Sequence, residues 1–430
     1  MTPAARLSAA IDILTVMDLQ RRPAPDCLKE WGIGHRFAGS KDRAAIASLV
    51  YDSLRVKASA AWLMDAETPR AILFGMLRDL RGFDVDMLAA LATGEGHAPA
   101  ALSDAERLRL TVATLDNAPD HVRGNYPEWL AEAFTAAFGS DAAAEGRALA
   151  ARAPLDLRVN MLKATREKAL KALAHFGAEP TPRSDVGLRV PLGDDGRAPA
   201  LSTEPSYLKG HVEIQDEGSQ LVTRLSGAQA GQQVLDLCAG GGGKTLALAA
   251  IMGNKGQIYA TDDDARRLAP IYDRIARADA RNIQVRSPKR EQDVVADLEG
   301  RCDLVLVDAP CTGTGTWRRH PDAKWRMRPG ALAERLKDQD LVLSQACRFL
   351  KPGGRLAYIT CSVLREENED RIAHLLSERS DMSPVEVSTL THAAGLDDLA
   401  SVASRLGPGL RLTPHTTGTD GFYMAALVKA

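Results

Sequence analysis

Two thiols and a carboxylate are the side chains in this sequence whose setting points to chemistry. Leu304 to Val307 is an unbroken run of β-branched and aliphatic residues, the mark of a strand buried on both faces of a parallel sheet. The run ends in Asp308. Pro310 then takes the chain out of the ladder, and Cys311 sits in a turn that Gly313 and Gly315 allow to bend tightly. Far along the chain, Cys361 closes a second such run, Arg355 to Thr360. Neighbouring parallel strands deliver their carboxyl ends to one crevice, so this separation can vanish in space. Beyond Cys311 the sequence turns basic, with Arg318, Arg319, His320, Lys324, Arg326 and Arg328, and with Trp317 and Trp325 among them. That segment is expected to rim the pocket and grip RNA beside a flipped base.

Cytosine C5 is a poor nucleophile. Thiolate attack at C6 turns C5 into an enamine carbon able to take a methyl group, and a base must then remove the C5 proton so that the thiol can leave. Two thiols and a carboxylate in one pocket suit those steps. Cys302 and Cys347 have no such context and read as small buried hydrophobes.

The glycine loop after the strand Val234-Leu235-Asp236-Leu237 sets the cofactor class. Gly243-Lys244-Thr245 matches the second half of a phosphate-binding loop, but Cys238 stands where the first glycine belongs. The dinucleotide fingerprint fails too, since neither Gly240-x-Gly242 nor Gly241-x-Gly243 has a glycine or alanine three residues on. What remains is an acid, a glycine-rich loop, a helix, and a second acid, Asp262, at the end of the next strand. An acid there accepts from both hydroxyls of a ribose, and S-adenosylmethionine fits.

Composition narrows the class. A chain of 430 residues makes two or three domains at about 150 each, and 45% hydrophobic with 26% charged content is ordinary for a globular protein. The net charge of −2 means that RNA contact must come from local clusters. The cysteines, at 27, 238, 302, 311, 347 and 361, form no Cys-x-x-Cys pair and have no histidine at metal spacing, against zinc and against a disulfide framework. With no signal segment and no long apolar span, the expectation is a reduced cytoplasmic monomer without metal or membrane attachment.

In chain order, residues 1–140 read as helices, with Thr2-Pro3 as a cap, Trp129 and the phenylalanines as core, and Gly139 ending the last helix. Residues 145–210 read as a small α+β module of βαβ type: a strand at 157–162, a helix capped by Thr165 and closed by Gly177, and strands at 187–190 and 211–214, with a turn at Gly193-Asp194-Asp195-Gly196. Arg158, Asn160 and Lys163 could lie along RNA phosphate, with solvated surface the preferred reading. Residues 211–430 alternate strands at 234–237, 258–261, 283–285, 304–307 and 355–360 with helices at 244–252, 264–277 and 331–350. That pattern predicts a doubly wound parallel α/β sheet.

Asp236-Leu-Cys-Ala-Gly-Gly-Gly-Gly-Lys-Thr245, Asp308-Ala-Pro-Cys-Thr-Gly-Thr-Gly, Thr360-Cys-Ser-Val-Leu-Arg-Glu-Glu-Asn368 and Asp420-Gly-Phe-Tyr resemble the Nol/Nop/Sun family of RNA cytosine-5 methyltransferases. Arg318-Arg-His-Pro-Asp-Ala-Lys-Trp325 is similar to the bacterial RsmB (Sun/Fmu) type, which acts on 16S ribosomal RNA. The resemblance implies a Rossmann-like methyltransferase domain, preceded by a small RRM-like module and a helical domain similar to NusB. It implies Cys361 as nucleophile, Cys311 as the residue assisting release, and Asp308 and Lys244 as walls of the cofactor and base pocket. Cys238, Ala239, Gly240, Gly241, Gly242, Gly243, Lys244 and Asp262 would hold S-adenosylmethionine, and Arg318, Arg319, His320, Lys324 and Trp325 would contact RNA. The alternatives are the same chemistry on tRNA, or an inactive RNA-binding assembly protein. Two departures stand out. Gly240-Gly241 replaces the usual Ala-Pro, and Ser287-Pro288 stands where the family places an acid near adenine, with Glu291 and Asp293 only later.

Overall fold

The computed structural model describes residues 1–193, 199–290 and 292–430. Asp194, Asp195 and Gly196 of the expected turn, and Glu291, lie outside the described residues. The chain forms two compact units, Met1–Arg152 with Trp317–Arg328, and Ala153–Thr316 with Pro329–Ala430.

The first unit is helical. Its opening helix, Pro3–Gln20, starts as the sequence predicts, with Thr2 Oγ1 accepting from the Ala5 amide at 3.2 Å and proline in the first turn. The helix Pro69–Asp79 is its hydrophobic centre, with Leu73, Phe74, Met76 and Leu77 buried. A Cβ at Gly75 would lie 2.6 Å from the Ala60 carbonyl oxygen, so the helix Lys57–Met64 can approach this closely only because that position is glycine. Phe134 is core, stacked on Tyr126 at 4.0 Å between ring centroids. Trp129 is not. Its ring stays 36% exposed, because the segment Glu128–Leu130 is a short 3-10 turn that points Leu130 inward instead.

The basic aromatic segment also departs from expectation. Trp317–Arg328 packs as part of the helical unit, and its tryptophans and two of its cations are taken up there. Trp317 is buried and lies parallel to Phe134 at 5.8 Å, and Trp325 Nε1 donates to the Leu54 carbonyl at 2.6 Å. Arg318 and Lys324 go in with the rings. The Arg318 carbonyl accepts from Arg55 at 2.9 Å, and Lys324 Nζ donates to the Arg55 carbonyl at 3.2 Å, 5.0 Å from the Trp325 ring centre. Indole rings bury more apolar area against Phe134 and helix Ser40–Arg55 than water can reward, and their flanking cations are carried in with them. His320, Arg326 and Arg328 remain exposed, and Arg319 is half-buried.

The second unit holds two sheets. Strands β1 (Leu155–Val159), β2 (Glu179–Pro180), β3 (Gly187–Val190) and β4 (Val212–Ile214) form a sheet in the order β2-β3-β1-β4, antiparallel throughout. The expected βαβ unit is present in split form: the helix Arg166–Ala172 carries the chain from β1 to β2, which run in the same direction on either side of β3. Arg158 and Asn160 are buried rather than solvated. Asn160 Nδ2 donates to the carbonyls of Gly210 and Ala278, and Arg158 Nε donates to Gln215 at 2.6 Å.

The larger sheet contains β5 (Gln233–Asp236), β6 (Gln257–Ala260), β7 (Ile283–Val285), β8 (Cys302–Asp308), β9 (Leu350–Thr360), β10 (Met382–Pro384), β11 (Leu410–Leu412) and β12 (Phe422–Lys429). Its order is β10-β12-β9-β8-β5-β6-β7, with β11 beside β12. The run β9-β8-β5-β6-β7 is parallel, as the alternating pattern predicts, whereas β10, β11 and β12 are antiparallel additions. One predicted helix is broken: Pro270 separates Ala265–Leu268 from Ile271–Ala278. Helices Gly243–Ile251 and Pro329–Phe349 flank the sheet. Among the described residues no helix is long and apolar enough to cross a membrane.

Burial holds the Lys324 ammonium well below its usual range, and Arg55 adds to the effect. An apolar chain of similar length should therefore serve as well. Lys324→Met is expected to leave the thermal midpoint unchanged or raised at neutral pH, whereas Lys324→Glu should lower it by several degrees. A melting curve in which the methionine variant loses as much as the glutamate variant would show that the cation itself is required.

Candidate active site

The parallel order places a switch point between β5 and β8, where the chain winds outward in opposite directions. Open α/β sheets bind ligands over that point, at the carboxyl ends of the strands. Asp236 ends β5, Asp262 follows β6, Asp308 ends β8 and Cys361 follows β9. Register does the rest. Asp308 lies opposite Ile359 and Tyr423 of β12 lies opposite Thr360, so the residues just past these strands meet.

Cys311 Sγ and Cys361 Sγ are 3.4 Å apart, within sulfur hydrogen-bond range. The hydrogen bond to Cys361 and then burial push the Cys311 thiol well above its usual range. Lys244 Nζ donates to Asp308 Oδ2 at 2.6 Å and lies 5.3 Å from the Phe422 ring centre. Burial works against the Lys244 charge, but the Asp308 carboxylate outweighs it and the net shift is upward. The structure thus brings Lys244, Asp308, Cys311 and Cys361 together, as the sequence reading required.

The glycine loop sits beside them. Asp262 is buried, and its carboxylate accepts from the Gly240 amide at 2.8 Å and the Asp264 amide at 3.0 Å. Burial nevertheless raises its pKa above the ordinary carboxylate range. Gly240 and Gly242 adopt left-handed backbone, and a Cβ at Gly242 would strike Ile271 at 2.4 Å. Arg274, which the sequence reading missed, donates to the Gly241 carbonyl at 2.6 Å and to Glu213, bracing the floppier turn that replaces Ala-Pro. Asp262 has lone pairs left after its two amides, and a Cβ at Gly240 would meet nothing closer than 3.9 Å. A buried diol acceptor next to side-chain-free backbone fits an adenosyl group. At the adenine position Ser287 Oγ hydrogen-bonds Tyr272 Oη at 2.8 Å, while Asp293 is drawn to Arg348, which holds its carboxyl below the ordinary range. Cys238 packs half-buried on the sheet, its thiol pushed well up by burial and the neighbouring carboxylates.

Three further residues escaped the sequence reading. Phe422 and the buried Glu367 lay in recognised motifs but had no assigned role, and the buried Gln339 carries no signal beyond ordinary helix-surface composition. Among the described residues no group of three or more His, Cys, Asp or Glu could hold a metal ion.

Residues 224–428 match the family model described as 16S rRNA methyltransferase RsmB/F, and residues 126–192 match the ferredoxin-like domain of RsmF/B-like methyltransferases. Ribosomal RNA small subunit methyltransferase B of Sodalis glossinidius is 34% identical over 332 residues, 77% of this chain and 69% of its own length. The chain belongs to that family of S-adenosylmethionine-dependent ribosomal RNA methyltransferases. A probable member from Synechocystis is 33% identical over 71% of this chain and 67% of its own. The crystal structure of a methyltransferase homolog from Pyrococcus horikoshii, 27% identical, superimposes with a TM-score of 0.59 over 72% of this chain and 98% of that one.

Asp236 lies under this site. It is fully buried, accepts from Thr245 Oγ1 at 2.6 Å, and leaves Oδ1 without a partner. Burial, opposed by that hydrogen bond, pushes its carboxyl up to about 7. A folded-state pKa raised above the unfolded value gives stability that is complete below about pH 4 and lost as pH rises through 7. Asp236→Asn mimics the protonated acid. Its advantage over the parent in thermal melts should therefore grow from about pH 4 to pH 7 and then level off, and a pH-independent difference would remove Asp236 as the cause.

Proposed function

We propose that the chain methylates C5 of a cytosine in RNA, 16S ribosomal RNA first among the candidates, through a covalent link between Cys361 and C6. The observation that carries this reading is the thiol pair, 3.4 Å apart beside the Lys244–Asp308 contact. S-adenosylmethionine, when bound, supplies an electrophilic methyl group. Cys238, Ala239, Gly240, Gly241, Gly242, Gly243 and Lys244 would hold it, with Asp262 at the ribose and Asp308 toward the base.

The order of events follows from the two sulfurs. The contact with Cys361 and burial both oppose ionisation of Cys311, which favours Cys361, as thiolate, as the sulfur that attacks C6. That attack pushes electrons to C5, which takes the methyl group. The largest cause raising the Cys311 pKa is its hydrogen bond to Cys361. Once Cys361 is bonded to C6 its charge no longer opposes ionisation of Cys311, and release requires Cys311 to give up its proton to solvent. Its thiolate then takes the C5 proton, the C5–C6 double bond reforms, and Cys361 leaves as thiolate. Lys244 fixes the Asp308 carboxylate at the pocket wall throughout. Arg318, Lys324 and Trp325 are engaged in the helical unit and take no part in this reading, which leaves the exposed His320 as the RNA contact of that segment.

Cys361→Ala should abolish methyl transfer. Cys311→Ala should transfer one methyl per enzyme and then accumulate a protein–RNA adduct that survives denaturing electrophoresis. An adduct that builds up in the Cys361 variant instead would reverse the roles. Mass mapping of 5-methylcytosine in ribosomal RNA from a strain lacking the gene should show one unmodified site, and a loss confined to tRNA would change the substrate.

Asp262→Ala should weaken S-adenosylmethionine binding by well over tenfold, since hydrogen bonds to a charged group contribute about 1.5–3 kcal/mol each. Titration calorimetry that finds unchanged affinity would take Asp262 out of the site.

A further inference from the structure

The two thiols are held by neighbouring residues of one short turn. The 3-10 segment Arg365–Glu367 follows Cys361, and both Glu367 and Asn368 are completely buried. Glu367 reaches the Cys311 turn. Its carboxylate accepts from the Thr312 amide at 2.8 Å and from the Thr312 hydroxyl. Gln339, also buried, donates through Nε2 both to Glu367 at 3.0 Å and to the Pro310 carbonyl at 2.9 Å. The peptide groups before and after Cys311 are thus tied to one Gln339–Glu367 frame. Asn368 does the same for Cys361. Its Oδ1 accepts from the Thr360 hydroxyl at 2.6 Å and its Nδ2 donates to the Ser362 carbonyl at 3.0 Å, again one residue to either side of the thiol.

A buried carboxylate is costly unless several donors face it, and burial does raise the Glu367 pKa against the hydrogen bonds of Ser362, Thr312 and Gln339. A neutral scaffold would hold this turn at lower cost if holding it were a matter of stability alone. Among the described hydrogen bonds none joins Glu367 or Asn368 to either sulfur, although the Glu367 carboxylate adds a little to the upward push on the Cys311 thiol. What they set is where each sulfur sits, and a displacement of about 1 Å at a reacting atom can cost on the order of 100-fold in rate.

We infer that Glu367 and Asn368 are positioning residues with separate duties, Glu367 (with Gln339) aiming Cys311 for release and Asn368 aiming Cys361 for attack. This deepens the covalent reading above and rests on it. The two residues are adjacent in sequence and equally buried, so a general loss of packing would affect both steps alike. Separate duties would not.

The experiment compares Glu367→Ala, Glu367→Gln and Asn368→Ala with Cys311→Ala and Cys361→Ala, using the full chain, S-adenosylmethionine and a ribosomal RNA substrate. Single-turnover methyl transfer and adduct on denaturing gels are the readouts. Glu367→Ala should transfer its first methyl at close to the parental rate, then stall with adduct accumulating and steady-state turnover down by at least tenfold. Glu367→Gln keeps an acceptor for the Thr312 amide and should recover most of the turnover. Asn368→Ala should slow the first transfer by on the order of 100-fold with no adduct. Should Glu367→Ala fold poorly, the Gln variant and a Gln339→Leu variant carry the same test, the latter expected to accumulate adduct. The inference is overturned if Glu367 and Asn368 variants lose transfer and release together, or if neither variant changes either readout. It also falls alone if Cys311→Ala traps an adduct and no Glu367 or Gln339 variant does. If Cys311→Ala itself traps nothing, the covalent reading has failed first and takes the inference with it.

Discussion

The site depends on the parallel pairing of β8 with β9. Val307 lies opposite Tyr358 and Asp308 opposite Ile359, so both strands end at the same level of the sheet. Cys311 and Cys361 can meet at 3.4 Å only because of that shared level. The pairing is not perfectly regular, with a shift between Cys302 and Leu304, but the irregularity lies at the end away from the site. Near the site the ladder is continuous and buried. Val305, Leu306, Val307, Leu356, Ala357 and Tyr358 are all fully enclosed, and a slip of one residue would turn a buried row to the opposite face. Hydrophobic burial thus fixes a register, and the register fixes a distance between two sulfurs.

Beyond the strands, the two loops are stitched to each other rather than merely placed side by side. The Gly315 amide donates to the Cys361 carbonyl at 2.9 Å, and the Gly421 amide donates to the Gly315 carbonyl at 2.8 Å. Thr314 Oγ1 accepts from the Val363 amide at 2.9 Å and shares a hydrogen bond with Ser362. A Cβ at Gly315 would lie 2.1 Å from the Gly421 carbonyl oxygen, which explains a glycine that the sequence reading had assigned only to turn flexibility. The loop after β8, the loop after β9 and the start of β12 therefore behave as one object. That makes the late antiparallel strand β12 a structural part of the thiol pocket, with Phe422 presenting its ring to Lys244.

The sequence announced those parts that rest on period and punctuation. Val234 to Asp236 and Leu304 to Val307 are fully buried parallel strands, and continuous aliphatic runs say so. Thr2, Thr165, Gly139 and Gly177 mark helix ends by capping chemistry that depends on near neighbours alone. The misses share a different cause. Whether Trp317 and Trp325 stack on bases or on helices, and whether Arg158 faces water or Gln215, is decided by what folds against them from far along the chain. Composition cannot distinguish a cationic aromatic loop that meets RNA from one that is taken up by a helix, because both need wide rings and long amphipathic stems. The antiparallel sense of β12 is equally silent in its pattern, since Phe422 to Leu427 is buried on both faces just as the parallel strands are.

The same logic applies to charge at the crevice. Asp236, Asp262 and Asp308 converge on the strand ends with Lys244 as the buried cation among them. The three carboxylates separate by environment. Asp308, which Lys244 contacts directly, takes the salt bridge. Asp262 is supplied with two backbone amides. Asp236 receives one hydroxyl and is driven up to about 7, near the neutral form. Burial and partner count, rather than residue type, thus divide one kind of side chain into an ion-paired wall, a backbone-bound acceptor and a buried support whose pKa is raised. The division is written in distances of a few ångströms, and it is why three aspartates that look alike in the sequence do three different things in the fold.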